Sequence, residues 1–416
     1  MSNRHMPYDL AQMQSLPLEA KERMSMQRIK VWFESWKKYT IYDKKTKKTR
    51  YVTHTEEPSE NGCFIKKTKK IDGQKKEVDV LVKGTNLKPT EYIEAVEDGQ
   101  VYVSFSGGKD STVLSDLCAR VCRVCGYSLH LLFVNTGLEY PEIQNFVKSF
   151  AEWLRNKYEI EVHIEIVRPE MRFDEVLKKY GYPVISKAVS HAVKIAKRNP
   201  DGKVMKNLFN PENKGRFGFS KWTFLIDSEI PTSEDCCTVM KKAPAKKYAK
   251  KTGRKSILGT MACESSLRYS QWLKNGCNAF GTKDPHSQPL SFWLHQDILH
   301  YIKKYNVPYC SVYGDIVLDT GSEAAYGQTN IVDFTGEYEP EDKLKTTGCD
   351  RTGCIFCMFG CHLEKEPNRF QRLKETHPRQ YEYCIGGGEM VDGKWQPSKE
   401  GLGLGKVLDY IGVKYE

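Results

Sequence analysis

Two glycines in the run Ser106-Gly107-Gly108-Lys109-Asp110-Ser111 constrain what this chain can fold into more than any other feature. The apolar alternation Val101-Tyr102-Val103 predicts a strand that leads through Ser104 into the run, and Thr112-Val113-Leu114-Ser115-Asp116-Leu117 opens a helical pattern after it. The six residues are therefore a tight turn between a strand and a helix N-terminus. Glycine allows the backbone to approach a ligand closely and to adopt angles barred to other residues. Unpaired N–H groups of the first helical turn, with the Ser106 and Ser111 hydroxyls, make a cradle for an anion. Lys109, expected to face solvent, adds a full positive charge. The chemistry points to a phosphate or pyrophosphate. The Walker pattern needs four residues before its Gly-Lys-Ser/Thr, and neither it nor G-x-G-x-x-G occurs at this turn.

Further strands are predicted at His130–Val134, Val162–Val167 and Ser256–Gly259, alternating with helices to about residue 125 and near 141–157, 172–180 and 295–305. Strands alternating with helices imply an α/β fold with a doubly wound, mostly parallel sheet, its ligand at the carboxyl ends of the strands. Ahead of this core, residues 14–38 have helical spacing, with Ile29, Trp32, Phe33 and Trp36 on one face. Two basic hairpins follow, one turning at Asp43–Lys48 and one at Asp72-Gly73. Residues 187–254, rich in Lys and Arg, read as a partly mobile insertion.

The charge is unevenly spread. Net charge is +11, and residues 1–90 alone hold 20 Lys or Arg against 11 Asp or Glu. A basic extension on an anion-binding core fits a polyanionic partner such as nucleic acid, against the alternative of a solvated charged surface. No run approaches a membrane span, and Met1 to Gln14 lack an apolar signal core. Fourteen cysteines in such a chain fit reduced thiols and a metal centre in the cytoplasm better than disulfides.

Four of them, Cys349, Cys354, Cys357 and Cys361, lie within 13 residues at the spacing C-x4-C-x2-C-x3-C. A C-x2-C pair sets two sulfurs on one ion through a tight turn, which the flanking glycines permit. Four thiolates suit zinc or a [4Fe–4S] cluster equally. Cys236-Cys237 with Cys354 and Cys357 is a second possible ligand set. Cys118, Cys122 and Cys125 read as core packing, and Arg369 and Arg372 as candidate phosphate contacts.

The turn resembles the SGGxDS loop of the N-type (PP-loop) ATP pyrophosphatases, which split ATP between its α and β phosphates and hold the released pyrophosphate. Phe133–Glu142, Cys236–Pro244, Glu264–Arg268 and Pro289–Trp293 with Pro308-Tyr309 resemble, in order, the FVDTGxxFPE, CCxxxKxxP, ESxxR and PLxxW…IPY segments of the phosphoadenylyl-sulfate (PAPS) reductase family. The resemblance covers roughly residues 95–315. It implies a nucleotide site of Ser104, Ser106, Gly107, Gly108, Lys109, Asp110, Ser111, Thr136, Gly137 and Arg268, with Lys109, Asp110 and Ser111 in catalysis on ATP and Mg²⁺.

Departures from the family pattern matter as much. Sulfonucleotide reductases usually lack the loop lysine that is present here. The arginine preceding their ESxxR corresponds to Met261, and their C-terminal ECGxH segment is absent. Cys384 lies at a similar distance beyond the cluster, as a working thiol or as a small buried residue. The Arg351–Cys357 segment is similar to one in the iron–sulfur ATP pyrophosphatases of DNA phosphorothioation, and that likeness favours [4Fe–4S] over zinc. Three regions are expected: a basic extension (1–90), the PP-loop domain (91–320) and a cysteine-cluster region (321–416). The function implied is adenylation of an acceptor, a nucleic acid docked through residues 1–90, for sulfur transfer from a donor protein. The alternatives are a phosphoadenylyl-sulfate or adenylyl-sulfate reductase and a non-catalytic nucleotide-binding regulator.

Overall fold

The computed structural model describes residues 5–53, 63–71, 74–82, 90–97, 99–215, 218–320 and 342–416. They form two compact units interleaved along the chain. The first comprises Met1–Phe133, Phe146–Glu165 and Ala249–Gly348, and the second Val134–Asn145, Ile166–Tyr248 and Cys349–Glu416.

Helices α1 (Pro7–Gln14) and α2 (Leu18–Glu34) open the first unit. Ile29, Trp32 and Phe33 of α2 are fully buried, as their shared face predicts. Polar residues on the same helix are also tied in. Buried Lys21 meets Asp297 at 2.7 Å, Glu22 takes the Arg120 guanidinium at 3.2 Å, and Ser25 Oγ accepts the Trp293 indole N–H at 2.9 Å. Strands β1 (Lys38–Asp43) and β2 (Lys48–Thr53) form the first expected hairpin, in which Asp43 accepts the Lys45 N–H at 2.9 Å to close the turn. Strands β3 (Cys63–Ile71) and β4 (Gln74–Val82) form the second, whose Asp72-Gly73 turn lies outside the described residues. A strand not read in the sequence, β5 (Glu91–Glu97), pairs antiparallel with β1.

The main sheet is built from β6 (Val101–Ser104), β7 (Leu129–Val134), β8 (Val162–Val167), β9 (Lys255–Ile257), β10 (Asn278–Ala279) and β11 (His286–Ser287), in the order β10-β11-β9-β6-β7-β8. The β11–β9, β9–β6 and β6–β7 pairs are parallel and β10–β11 is antiparallel, as expected for a mostly parallel, doubly wound sheet. Helix α3 (Lys109–Cys125) follows β6 and ends at Gly126, whose φ of 71° takes the left-handed cap that glycine adopts without strain. Cys118 and Cys122 on α3 are fully buried core residues. Helix α4 (Pro141–Tyr158) links β7 to β8.

The second unit packs around Val176, Leu177, Tyr182, Val193, Met240, Met358, Phe370 and Leu404. Its helices include α5 (Phe173–Tyr180), α6 (Lys187–Arg198), α7 (Lys203–Leu208) and most of α8 (Ala243–Thr252). The basic stretch 187–254, expected to be partly mobile, is thus largely helical. Ser186 caps α6 by accepting the Val189 N–H at 3.2 Å, and the apolar face of α6 is buried. In the first unit, α9 (Ser266–Asn275) and α10 (His295–Tyr305) precede a short pair, β12 (Ile316–Leu318) with β13 (Leu344–Thr346). Helices α11 (Arg369–Thr376) and α12 (Pro378–Ile385), hairpin β14 (Glu389–Val391) with β15 (Lys394–Gln396), and α13 (Leu404–Tyr410) complete the second unit. Among the described residues, no helix is long and apolar enough to cross a membrane.

Candidate functional site

In the first unit the chain leaves β6 at Ser104, seats Phe105 in the core and turns at Gly107, where φ is 73°. The two loop hydroxyls hold the turn together. Ser106 Oγ lies 3.0 Å from Ser111 Oγ, and the Ser106 N–H donates to Ser111 Oγ at 3.2 Å. Ser111 and Thr112 donate to the Gly108 carbonyl at 2.9 and 3.1 Å. The loop is therefore preorganised at the N-terminus of α3, at the carboxyl end of a central strand, where backbone N–H groups favour an anion.

Lys109 departs from the expectation of a solvent-facing side chain. It is only 7% exposed, because its ammonium lies 5.1 Å from the ring centroid of Tyr313 while its N–H donates to the Tyr313 hydroxyl at 3.1 Å. A lysine stem and ammonium pack favourably over an aromatic face. Asp110 Oδ1 is buried with no hydrogen-bond partner, which is unusual for a carboxylate oxygen. Gly259, just past β9, passes against the loop. A Cβ there would lie 3.1 Å from the Asp110 carbonyl oxygen and 3.2 Å from Ser111 Cα. Arg268 pairs with Glu264 one helical turn back. Glu264 also accepts the N–H of buried Met261 at 2.8 Å.

In the second unit Thr136 is engaged by Glu139, which accepts its N–H at 3.1 Å and its hydroxyl at 2.7 Å. Gly137 turns with φ 73° and donates to Asn135 Oδ1 at 3.0 Å. The same unit holds the cysteines. Cys354 and Cys357 of the C-x2-C turn interact electrostatically with the Cys236-Cys237 pair, 4.0 Å apart at sulfur. The thiol of Cys236 donates to Cys237. That bond lowers the Cys237 thiol below the usual cysteine range, helped by Lys187 and Lys241, and raises Cys236. Burial pushes Cys354 up to about 11 against the pull of Lys241. Burial alone would lower the Lys241 ammonium, but Cys354 and Glu139 outweigh it and raise it.

The other two members of the compact spacing have different surroundings. Cys349 donates to the Tyr140 hydroxyl at 3.6 Å, and Cys361 to the Met358 carbonyl at 3.0 Å. Among the described residues, no group of three or more His, Cys, Asp or Glu side chains is already set around a common metal position. All of these thiols are free of disulfides. Arg369, read as a phosphate contact, is instead held by Glu364 and the Cys357 carbonyl, and Arg372 by the Pro367 carbonyl. Cys384 is fully buried, in keeping with a small packing residue.

A family model described as the phosphoadenosine phosphosulfate reductase domain matches residues 100–211 and 185–358, most of the chain. The chain belongs to this reductase-domain family, whose members carry a nucleotide-binding PP-loop fold. It is also 37% identical over 83 residues to the uncharacterized protein MJ0973 of Methanocaldococcus jannaschii, a match to 20% of this chain and 18% of that protein. A solved structure of NMN synthetase from Francisella tularensis aligns at 15% identity and a TM-score of 0.24, covering 50% of this chain and 62% of that one.

Within the reductase-domain match, sequence reasoning missed three residues that hold expected site residues in place, two in the first unit and one in the second. Tyr313 lies 204 positions from Lys109, so no local pattern could pair them. Gly259 carried a signal, a glycine directly after a strand, that could have marked close backbone contact. Glu139 was read only as a letter of a motif, yet it fixes Thr136.

Proposed function

We propose that this protein is a PP-loop ATP pyrophosphatase that adenylates a nucleic-acid acceptor for sulfur transfer. The observation that carries this reading is the retained Ser106–Ser111 loop, with Lys109 directly behind its two glycines. An acceptor oxygen or nitrogen attacks the α-phosphorus of ATP, the bond to the bridging oxygen breaks, and pyrophosphate leaves. The loop N–H groups and the hydroxyls of Ser106 and Ser111 would hold the β and γ phosphates, with the Lys109 ammonium neutralising the developing charge. The orphaned Asp110 Oδ1 suits a Mg²⁺ ligand, since a hard cation prefers carboxylate oxygen. A sulfur nucleophile from a donor protein then displaces AMP from the adenylated acceptor.

The donor set of the second unit fits an iron–sulfur cluster. Cys236, Cys237, Cys354 and Cys357 are free thiols that influence one another, next to Lys241 and backed by buried Ile355, Phe356 and Met358. These four would be the ligands of a [4Fe–4S] group, with Cys349 and Cys361 as the competing pair and zinc as the competing metal. When bound, the group would supply thiolate-ligated iron to sulfur chemistry; this chain's own part is to gather the thiols beside Lys241, whose charge favours the thiolate forms of Cys237 and Cys354 against the effect of burial. The same four-thiol grouping favours a second reading, a sulfonucleotide reductase releasing sulfite from an adenylyl sulfate.

Incubation with α- and γ-labelled ATP tests the proposal. AMP and pyrophosphate, increased by DNA or RNA, are expected. ADP and phosphate would defeat it, and sulfite release from an adenylyl sulfate without ATP turnover would establish the second reading.

A further inference from the structure

No Asp or Glu occurs between Asp235 and Glu264, while eight Lys or Arg do. Five of these, Lys242, Lys246, Lys247, Lys250 and Lys251, are exposed on or beside α8. At 3.6 residues per turn they share one half of the helix circumference. Pro244 and Tyr248, both buried, lie on the other half with half-buried Ala245 and Ala249. The helix is thus divided lengthwise into a face that packs and a face of lysine.

An ordinary solvated helix alternates its charges, because Glu and Lys four apart support each other and like charges four apart oppose helix formation. Here Lys242/Lys246, Lys246/Lys250 and Lys247/Lys251 are all like-charged pairs at that spacing. Glu170 meets Lys247 at 2.8 Å, with both side chains more than 70% exposed, so water screens that pair heavily. The sequence thus concentrates five like charges on one face of a single helix, the pattern a polyanion would neutralise.

The row's place in the chain gives it a use. The turn Thr238–Lys242 joins Cys236-Cys237 directly to α8. It sets half-buried Lys241 against Cys354 and leaves Lys242 exposed as the first lysine of the row. The remaining lysines extend from there along a helix of 10 residues, about 15 Å.

We propose that the lysine face of α8 binds the phosphodiester backbone of a nucleic acid and leads it to the Cys236-Cys237 end of the helix. This rests on the reading that the acceptor is a nucleic acid. It adds a docking surface inside the reductase-domain match, apart from residues 1–90.

The test uses the full chain and labelled single-stranded 20-nucleotide DNA and RNA, titrated at several salt concentrations. The triple variant Lys242→Gln, Lys246→Gln, Lys250→Gln is compared with wild type and with Lys44→Gln, Lys45→Gln in the first hairpin. Each neutralised phosphate of a single strand adds about 0.7 to the slope of log K against log salt. The triple variant should therefore lose about 2 from that slope and bind at least tenfold more weakly near 50 mM salt. ATP affinity and melting temperature, unchanged because these side chains are exposed, would show that it is folded.

An unchanged slope in the triple variant, with wild-type binding intact, overturns the α8 proposal and leaves the nucleic-acid acceptor standing. Absence of oligonucleotide binding by wild type at low salt overturns both. Binding to anionic phospholipid vesicles in place of oligonucleotides also overturns it. A preference for DNA or for RNA within a supportive result identifies the acceptor.

Discussion

Replacing Lys109 with methionine separates its charge from its packing. The side chain is 7% exposed and its ammonium lies 5.1 Å from the Tyr313 ring centroid, so alanine would remove a buried stem as well as a charge. Methionine keeps nearly the same volume, and a sulfur–aromatic contact worth about 0.3–1.5 kcal/mol replaces a cation–π contact worth about 0.5–2 kcal/mol. Stability should therefore change by less than about 2 kcal/mol. On the ligand side a charge-assisted contact to pyrophosphate is lost, about 1.5–3 kcal/mol, or roughly 10- to 150-fold in ATP affinity. Calorimetric titration with ATP, thermal melting and labelled AMP formation together make the assay. AMP formation at the wild-type rate would remove Lys109 from the chemistry. A fall in melting temperature as large as that of Lys109→Ala would mean that the ammonium's main role is to hold Tyr313.

Gly259→Ala places a methyl 3.1 Å from the Asp110 carbonyl oxygen and 3.2 Å from Ser111 Cα. The loop must shift by a few tenths of an ångström, at an overpacking cost of about 1–3 kcal/mol, and ATP should bind roughly tenfold more weakly by calorimetry. Anaerobically purified protein should be brown with about four irons per chain. Cys236→Ser and Cys357→Ser should bleach it while Cys349→Ser does not, and stoichiometric zinc without iron would replace the cluster. Lys197 should leave a mark on alkaline stability. Burial lowers its pKa from 10.5 to about 8 while it donates to the Ser228 and Ile230 carbonyls at 2.6 and 2.9 Å. Between about pH 8 and 10.5 the unfolded chain binds the extra proton, so this residue makes stability rise with pH across that window. Denaturant melts of Lys197→Met should lack that part of the rise; identical pH profiles would refute the shift.

The alternating fold was legible because its long strands and helices repeat at their own periods, and the loop because strand, glycines and helix are contiguous. Strands β10 and β11, two residues each, are too short for any period to register. The antiparallel partner of β1 was missed because β5 (Glu91–Glu97) is separated from β1 by β2 and the whole second hairpin, so no local turn joins the two. For the thiols, the sequence offered both ligand sets without a means of choosing between them. Spacing draws attention to Cys349 and Cys361, which are near in sequence, whereas Cys236-Cys237, more than 100 residues before Cys354, reaches it only through the packing of the second unit. Lys109 looked solvent-facing because Tyr313 is distant in the chain.

The hydrogen bonds of α2 determine how the amino-terminal region can be dissected. Lys21 neutralises Asp297, Glu22 neutralises Arg120, and Ser25 satisfies both the Trp293 indole and the Pro289 carbonyl. Cutting the chain after the first hairpins would strip these partners from groups that remain inside the first unit. Breaking one buried ion pair alone costs about 3–5 kcal/mol. A shortened protein that no longer bound nucleic acid would therefore be silent about binding, since loss of contact and loss of fold would give the same blank lane. Residues 1–34 act as a keystone of the first unit, and the charge on the hairpins beyond them is best altered one side chain at a time.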